Sequence, residues 1–266
     1  MGRYIPEASA TTGLNRGIAM SASLRLEGVA VKYGKALAVD GVSMEVDQHS
    51  TSVVLGANGA GKTSLLRGVS GFERWEDGHL SAGSVFLDGV DTSKWSPRRK
   101  VELGIALVPE RQGVFLPLTV EENLRLVISR AKKKAQFRPI MDTIEDLFPV
   151  LGKRKGQYAG LLSGGERQML SISMRLLMSP RFLLIDEISL GLAPGIILQM
   201  FDALKEVRSR FNVGLVIVEQ NVEASLSVAD KVYLLQNGRI VRAGTASEFR
   251  DDLGSLEAAY IGGSLE

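Results

Sequence analysis

The sequence predicts an α/β fold: a mostly parallel core sheet covered on both faces by helices, with a helical subdomain inserted along the way. Three observations carry this. Short, largely apolar runs recur at Thr51–Leu55, Ile105–Val108, 182–185 and 215–218, as strands buried on both faces require. The first runs straight into a glycine-rich stretch and then a helical pattern, a strand–loop–helix unit. From about residue 119 to 180 no apolar strand interrupts the helical pattern.

Taken in chain order, residues 1–23 are rich in Ala, Thr, Gly and Ser and contain no continuous apolar stretch. They read as a disordered tail rather than a secretory signal, with Met20 as a second candidate start. Residues 24–31 alternate apolar and polar side chains and read as a strand, and 41–46 as a second strand near it. Thr51–Leu55 leads into the stretch 56–61, and Lys62–Ser70 reads as a helix. Residues 85–87 with Asp88-Gly89 read as a hairpin end. Pro109 stops the strand Ile105–Val108. The helix predicted over residues 119–130 opens with Thr119-Val120-Glu121-Glu122, acids beside the positive end of its dipole. Residues 231–235 and 239–243 form a closing hairpin around Asn237-Gly238.

Composition narrows the function. The chain has 266 residues, 45% hydrophobic and 23% charged, the profile of a globular protein with a substantial core. It has no cysteine, which excludes disulfides, thiolate zinc clusters and a cysteine nucleophile. A net charge of +2 argues against nucleic acid as a partner. The basic clusters Arg98, Arg99, Lys100 and Lys132, Lys133, Lys134 read as solvated helix faces. No run approaches the ~18 apolar residues of a membrane helix.

The chemistry sits in three motifs. Gly56-Ala57-Asn58-Gly59-Ala60-Gly61-Lys62-Thr63, followed by Ser64, fits the phosphate-loop pattern in full. Its glycines let backbone N–H groups converge on phosphates, and the following helix adds its positive end. Lys62 would reach the β- and γ-phosphates of ATP, and Thr63 would ligate Mg²⁺. Asp186 ends the apolar run 182–185, where a carboxylate can hold Mg²⁺ beside such a loop. Glu187 follows as the candidate to polarise the attacking water. Leu162-Ser163-Gly164-Gly165-Glu166-Arg167-Gln168 places a hydroxyl and bare amides at a helix start, a second anion site.

With those residues the chain resembles the ATP-binding subunit of an ABC transporter over residues 24–262. The heptapeptide at 162–168 matches that family's signature, just upstream of Asp186-Glu187. The finer likeness is to the branched-chain amino acid importer group and its smaller, LivF-like ATPase. It is carried by Val108-Pro109-Glu110, residues 118–124, residues 189–194 and Val218-Glu219-Gln220-Asn221. The resemblance implies a P-loop NTPase fold with N-terminal antiparallel β strands, and the 119–180 stretch as the inserted helical subdomain. It implies that Tyr33 stacks on adenine and that Ser163, Gly164, Gly165 and Glu166 serve the nucleotide of a partner ATPase. Gln220 stands where most ABC ATPases have a switch histidine, and Glu110 where they have a glutamine that meets Mg²⁺. Ile188 replaces a usual proline, the turn 47–50 lacks a usual glycine, and Arg111-Gln112-Gly113 departs from the usual order.

ATP with Mg²⁺ is thus the expected ligand. The implied partners are two membrane-spanning permease subunits, a second and non-identical ATPase, and a solute-binding protein indirectly. The expected location is the cytoplasmic face of the inner membrane. Gln220 and Glu110 leave a second reading, a subunit that binds ATP but hydrolyses it poorly, because an amide cannot carry the proton a histidine can.

Overall fold

The structure is a computed structural model that describes residues 23–111, 113–128, 137–252 and residue 254. Residues 1–22 of the expected tail 1–23, Gln112, the cluster Lys132–Lys134 and the end of the chain lie outside the described residues, while Ser23, the last residue of that tail, opens a strand.

The chain begins with a hairpin of β1 (Ser23–Tyr33) and β2 (Ala36–Asp47), followed by β3 (Thr51–Leu55) and α1 (Lys62–Ser70). Next come β4 (Gly78–Leu87), β5 (Val90–Asp91), α2 (Pro97–Glu102) and β6 (Ile105–Val108). Among the described residues, four α-helices lie between β6 and the next strand: α3 (Val120–Ile128), α4 (Phe137–Leu147), α5 (Pro149–Lys153) and α6 (Gly164–Leu176). The chain then runs through β7 (Phe182–Asp186), α7 (Pro194–Phe211), β8 (Gly214–Glu219) and α8 (Val222–Leu226). It closes with β9 (Lys231–Gln236), β10 (Arg239–Thr245) and α9 (Ala246–Arg250).

Two sheets result. The first is antiparallel, in the order β2-β1-β4-β5; the second runs β10-β9-β3-β8-β7-β6, parallel from β9 to β6 with β10 antiparallel at its edge. The large sheet separates two apolar cores. Val53, Leu55, Leu183, Ile185, Leu215 and Ile217 face the core shared with helices α3 to α7. Val54, Phe182, Leu184, Val216 and Val218 face the core shared with α1 and the antiparallel sheet. Alternate residues thus enter opposite cores, which is why these strands read as unbroken apolar runs. Each such side chain stabilises the fold by about 1.5–3 kcal/mol.

Three local differences from the sequence reading have physical causes. β1 and β2 extend past the predicted 24–31 and 41–46, because Tyr33 pairs with Ala36 across a tight turn and bulges break the alternation between Leu26 and Lys32. The turn without its usual glycine places His49 at φ 76, the left-handed region that glycine fills without strain. Lys100 is not on a solvated face: it is fully buried, and its Nζ donates to the Val69 carbonyl at 2.7 Å. Consecutive helical residues point about 100° apart, so one of three basic neighbours turns inward. There it meets the C-terminal carbonyls of α1, a favourable place for a cation. Ile188, in the position of a usual proline, is a buried member of the helix-side core.

Candidate active site

Four neighbouring parallel strands, β3, β8, β7 and β6, end on the same edge of the large sheet. That carboxyl edge is where open α/β sheets gather ligands. β3 delivers the loop 56–61, β8 delivers Gln220, β7 delivers Asp186 and Glu187, and β6 delivers Glu110.

Close approach shapes the loop. Gly61 has φ 104, and a Cβ there would lie 2.3 Å from the Ala38 carbonyl oxygen. Gly238, at the tip of the β9–β10 hairpin, clamps the loop by donating its N–H to Ala60 O at 2.8 Å. Asp40 N–H in turn donates to Gly238 O at 2.8 Å. α1 starts after Gly61 without a side-chain cap, which leaves its first N–H groups and positive dipole end to an anion. Ser64 lies in that first turn.

Lys62 is 3% exposed. Its Nζ donates to Gly56 O at 2.8 Å and Ala57 O at 3.0 Å, and pairs with Glu187 Oε1 at 2.9 Å. Thr63 Oγ1 donates to Asp186 Oδ1 at 3.0 Å. Burial pushes the Asp186 carboxyl up to about 6, the nearby carboxylates of Glu187 and Glu110 add to that, and the Thr63 hydrogen bond opposes it. Glu187 holds a left-handed backbone at φ 43, with its N–H donating to Val218 O at 3.0 Å. Such strain in a residue other than glycine is a mark of functional sites. Gln220 Nε2 donates to Asn58 Oδ1, so the residue after β8 touches the loop.

Thr63, Asp186 and Glu110 form an all-oxygen donor set, the chemistry of a hard divalent cation. A carboxylate raised by burial and like charges is one that a cation would relieve. No group of three acids or histidines among the described residues holds a metal by itself.

Tyr33 sits at the tip of the β1–β2 hairpin, and the same hairpin brings Ala38 against Gly61. Its ring lies against Gly78, where a Cβ would fall 2.6 Å from Tyr33 Cε1, and its hydroxyl is buried without a partner. The signature residues stand apart: among the described residues no hydrogen bond or ion pair joins residues 163–166 to the loop 56–61 or to Asp186 and Glu187. Ser163 and Glu166 form a capping box at the start of α6, and Arg154 pairs with Glu166 at 2.9 Å. Gly165 has a packing reason as well, since a Cβ there would lie 2.7 Å from Ile196 Cγ2 of α7.

Two residues with no role in the sequence reading emerge. Arg175 is partly buried on α6, donating to Leu107 O at 3.0 Å and to Gly113 O; desolvation pulls its guanidinium down to about 10. With Gln168 Nε2 donating to Glu110 O at 3.2 Å, it ties the signature helix to the loop that carries Glu110. Glu219 ends β8 and accepts four hydrogen bonds. Its sequence signal is the one that singled out Asp186, an acid closing an apolar strand.

The family model described as ABC transporter matches residues 39–189, which span the phosphate loop, the signature and Asp186-Glu187. The chain belongs to the ABC transporter family. This ABC ATPase is 39% identical, over 90% of its length and the whole of the relative, to the high-affinity branched-chain amino acid transport ATP-binding protein BraG of Pseudomonas aeruginosa. It is 35% identical to the probable branched-chain amino acid transport ATP-binding protein LivF of Archaeoglobus fulgidus, over 78% of this chain and 85% of the relative. A nucleotide-free ATP-binding cassette from an ABC transporter superposes with a TM-score of 0.76 at 24% identity, covering 91% of this chain and 99% of that one. The ADP conformation of another cassette gives 0.74 at 23%, with the same coverage. These likenesses extend the fold agreement to nearly the whole ATPase: an antiparallel sheet packed on a mixed, largely parallel one. No helix among the described residues is long and apolar enough to cross a membrane.

Proposed function

We propose that this ABC ATPase is one of two ATP-hydrolysing subunits of an importer and powers uptake of branched-chain amino acids or related small polar solutes. The observation that carries the reading is its likeness to BraG across that relative's full length. The clustering of Lys62, Thr63, Asp186 and Glu187 at one sheet edge supports the chemistry.

In this reading the loop 56–61 wraps the phosphates, and Ser64 and Tyr33 add contacts to the nucleotide. Lys62 exchanges Glu187 for a phosphate oxygen. That exchange frees the Glu187 carboxylate to take a proton from the attacking water. Thr63, Asp186 and Glu110 would hold Mg²⁺, which supplies charge neutralisation at the phosphates. Gln220 donates its amide N–H to the γ-phosphate while Asn58 holds it. Ser163, Gly164, Gly165 and Glu166 complete the site of a partner ATPase, so two subunits close head to tail on ATP and part after hydrolysis.

The partners are two membrane-spanning permeases and a second, non-identical ATPase, with a solute-binding protein acting through the permeases. The chain would work peripherally, on the cytoplasmic face of the inner membrane. Phe115, Leu116, Tyr158 and Leu161 are 56%, 53%, 55% and 69% exposed. They are drawn together by the Thr119–Tyr158 bridge and the Gly160 N–H to Leu116 O bond of 3.0 Å, and they supply an apolar face for the permeases. The poorly hydrolysing alternative rests on Gln220 and Glu110 and is disfavoured by the intact Lys62, Thr63, Asp186 and Glu187.

A tagged pull-down from detergent-solubilised membranes tests the reading. Recovery of two multi-span membrane proteins and a second ATPase is expected. Recovery of ribosomes or DNA with no membrane protein would remove the importer and leave only the ATPase.

A further inference from the structure

β8 is the strand between the phosphate-loop strand and the Asp186 strand. Its last residue, Glu219, pairs in register with Leu55, and the preceding Val218 pairs with Asp186. The Glu219 side chain is 1% exposed and takes hydrogen bonds from neutral donors. Oε1 accepts the Ser189 N–H at 2.8 Å. Oε2 accepts the Ser189 hydroxyl at 2.6 Å, the Gln220 N–H at 3.1 Å and, at the limit of bonding distance, the Asn221 N–H at 3.5 Å. One carboxylate therefore spans two turns. One follows Glu187, since Ser189 is two residues on; the other carries Gln220, whose amide reaches Asn58.

We infer that Glu219 is a positioning residue for ATP hydrolysis, fixing Gln220 relative to Glu187 by bonding both turns. The residue type follows from the donors. Four hydrogen bonds arrive and none leaves, and they fall on both oxygens of the carboxylate, where an amide would have a single oxygen to accept with. An amide in its place would point an NH₂ group at an N–H or O–H, whichever oxygen it replaced. Asn221 then stabilises the same turn from the other side, capping α8 through Ala224 N–H at 3.0 Å. Gln220 thus leaves a turn held at both ends, so its single side-chain contact with the loop is directed rather than free to wander.

The inference rests on Gln220 being a γ-phosphate contact, and a double-mutant cycle separates the two ideas. Steady-state ATPase is measured on the full chain for the parent, Glu219→Gln, Gln220→Ala and the double variant. Glu219→Gln is expected to lower kcat about 10- to 100-fold, with KM for ATP changed less than about twofold. In the Gln220→Ala background the same substitution is expected to cost less than about threefold, because it acts through Gln220. An equal cost in both backgrounds, a rise in KM that matches the loss, or no cost at all overturns the inference. If Gln220→Ala alone leaves kcat unchanged, the assigned role of Gln220 fails, and Glu219 as its positioner fails with it. Should Glu219→Gln not fold by circular dichroism, Ser189→Ala takes its place and removes one donor, the hydroxyl on Oε2, while the Ser189 N–H to Oε1 stays. It is expected to lower kcat in the parent and not in the Gln220→Ala background; no drop in the parent overturns the inference.

Discussion

Lys100 and Lys62 are both lysines buried against backbone carbonyls, yet only one was legible as buried. Lys62 stands in a motif whose chemistry needs it inside the loop. Lys100 stands in a run of three basic residues, and only the docking of α2 on the end of α1 shows which of them turns inward. Burial pulls the Lys100 ammonium down to about 8 from its ordinary 10.5, with Glu73 and Asp91 holding it up and Arg74 adding to the fall. The sign of the effect on stability follows. Between those two values the unfolded chain binds a proton that the folded chain has released. The group's contribution to stability is therefore fullest above 10.5 and is lost as pH falls through about 8. Thermal melts of the parent and Lys100→Met should show the parent gaining on the variant from about pH 7 to about pH 9.5. A difference that does not change with pH would show that Lys100 titrates as an exposed lysine does. Glu219 and Arg175 were hidden for a related reason: their roles depend on which loops come to them, and sequence spacing carries no such information.

Among the elements, the strands of the large sheet were the most legible, because burial on both faces writes itself as a continuous apolar run. Asn237-Gly238 and Asp88-Gly89 were equally plain, and all four residues hold the positive φ that hairpin turns of this kind demand. Strand ends in the antiparallel sheet were less so, since bulges at Gly28 and after Val29 shift the alternation on which the reading depends. The signature shows a further limit. Gly164 and Gly165 read as bare amides for an anion, but the structure adds that Gly165 lets α6 approach α7 at Ile196. Gly165→Val is expected to destabilise the fold by about 1–3 kcal/mol, through overpacking between these helices. Urea unfolding measures this, and a midpoint equal to the parent's would show that α7 gives way freely.

Across the whole molecule, one sheet edge collects residues 123 to 162 positions apart. Asn58 and Gln220, Thr63 and Asp186, and Lys62 and Glu187 meet there in pairs. The motif types made the phosphate loop and the Asp186-Glu187 pair legible in advance. What they left out is that Lys62 and Glu187 hold each other, so a phosphate must compete for the lysine before the glutamate can act as a base. The same arrangement ties the Glu110 loop to the signature helix through Gln168 and Arg175, so a shift of α6 is felt in the backbone that carries Glu110. The most direct test is phosphate release from ATP by the parent and by Glu187→Gln, with retained nucleotide measured on the same samples. Glu187→Gln should bind ATP at least as well as the parent, its Lys62 having lost a charged competitor, and release phosphate about 100-fold more slowly or worse. Phosphate release at the parent's rate would contradict the assignment of Glu187 as the base, and with it the account of how this site hydrolyses ATP.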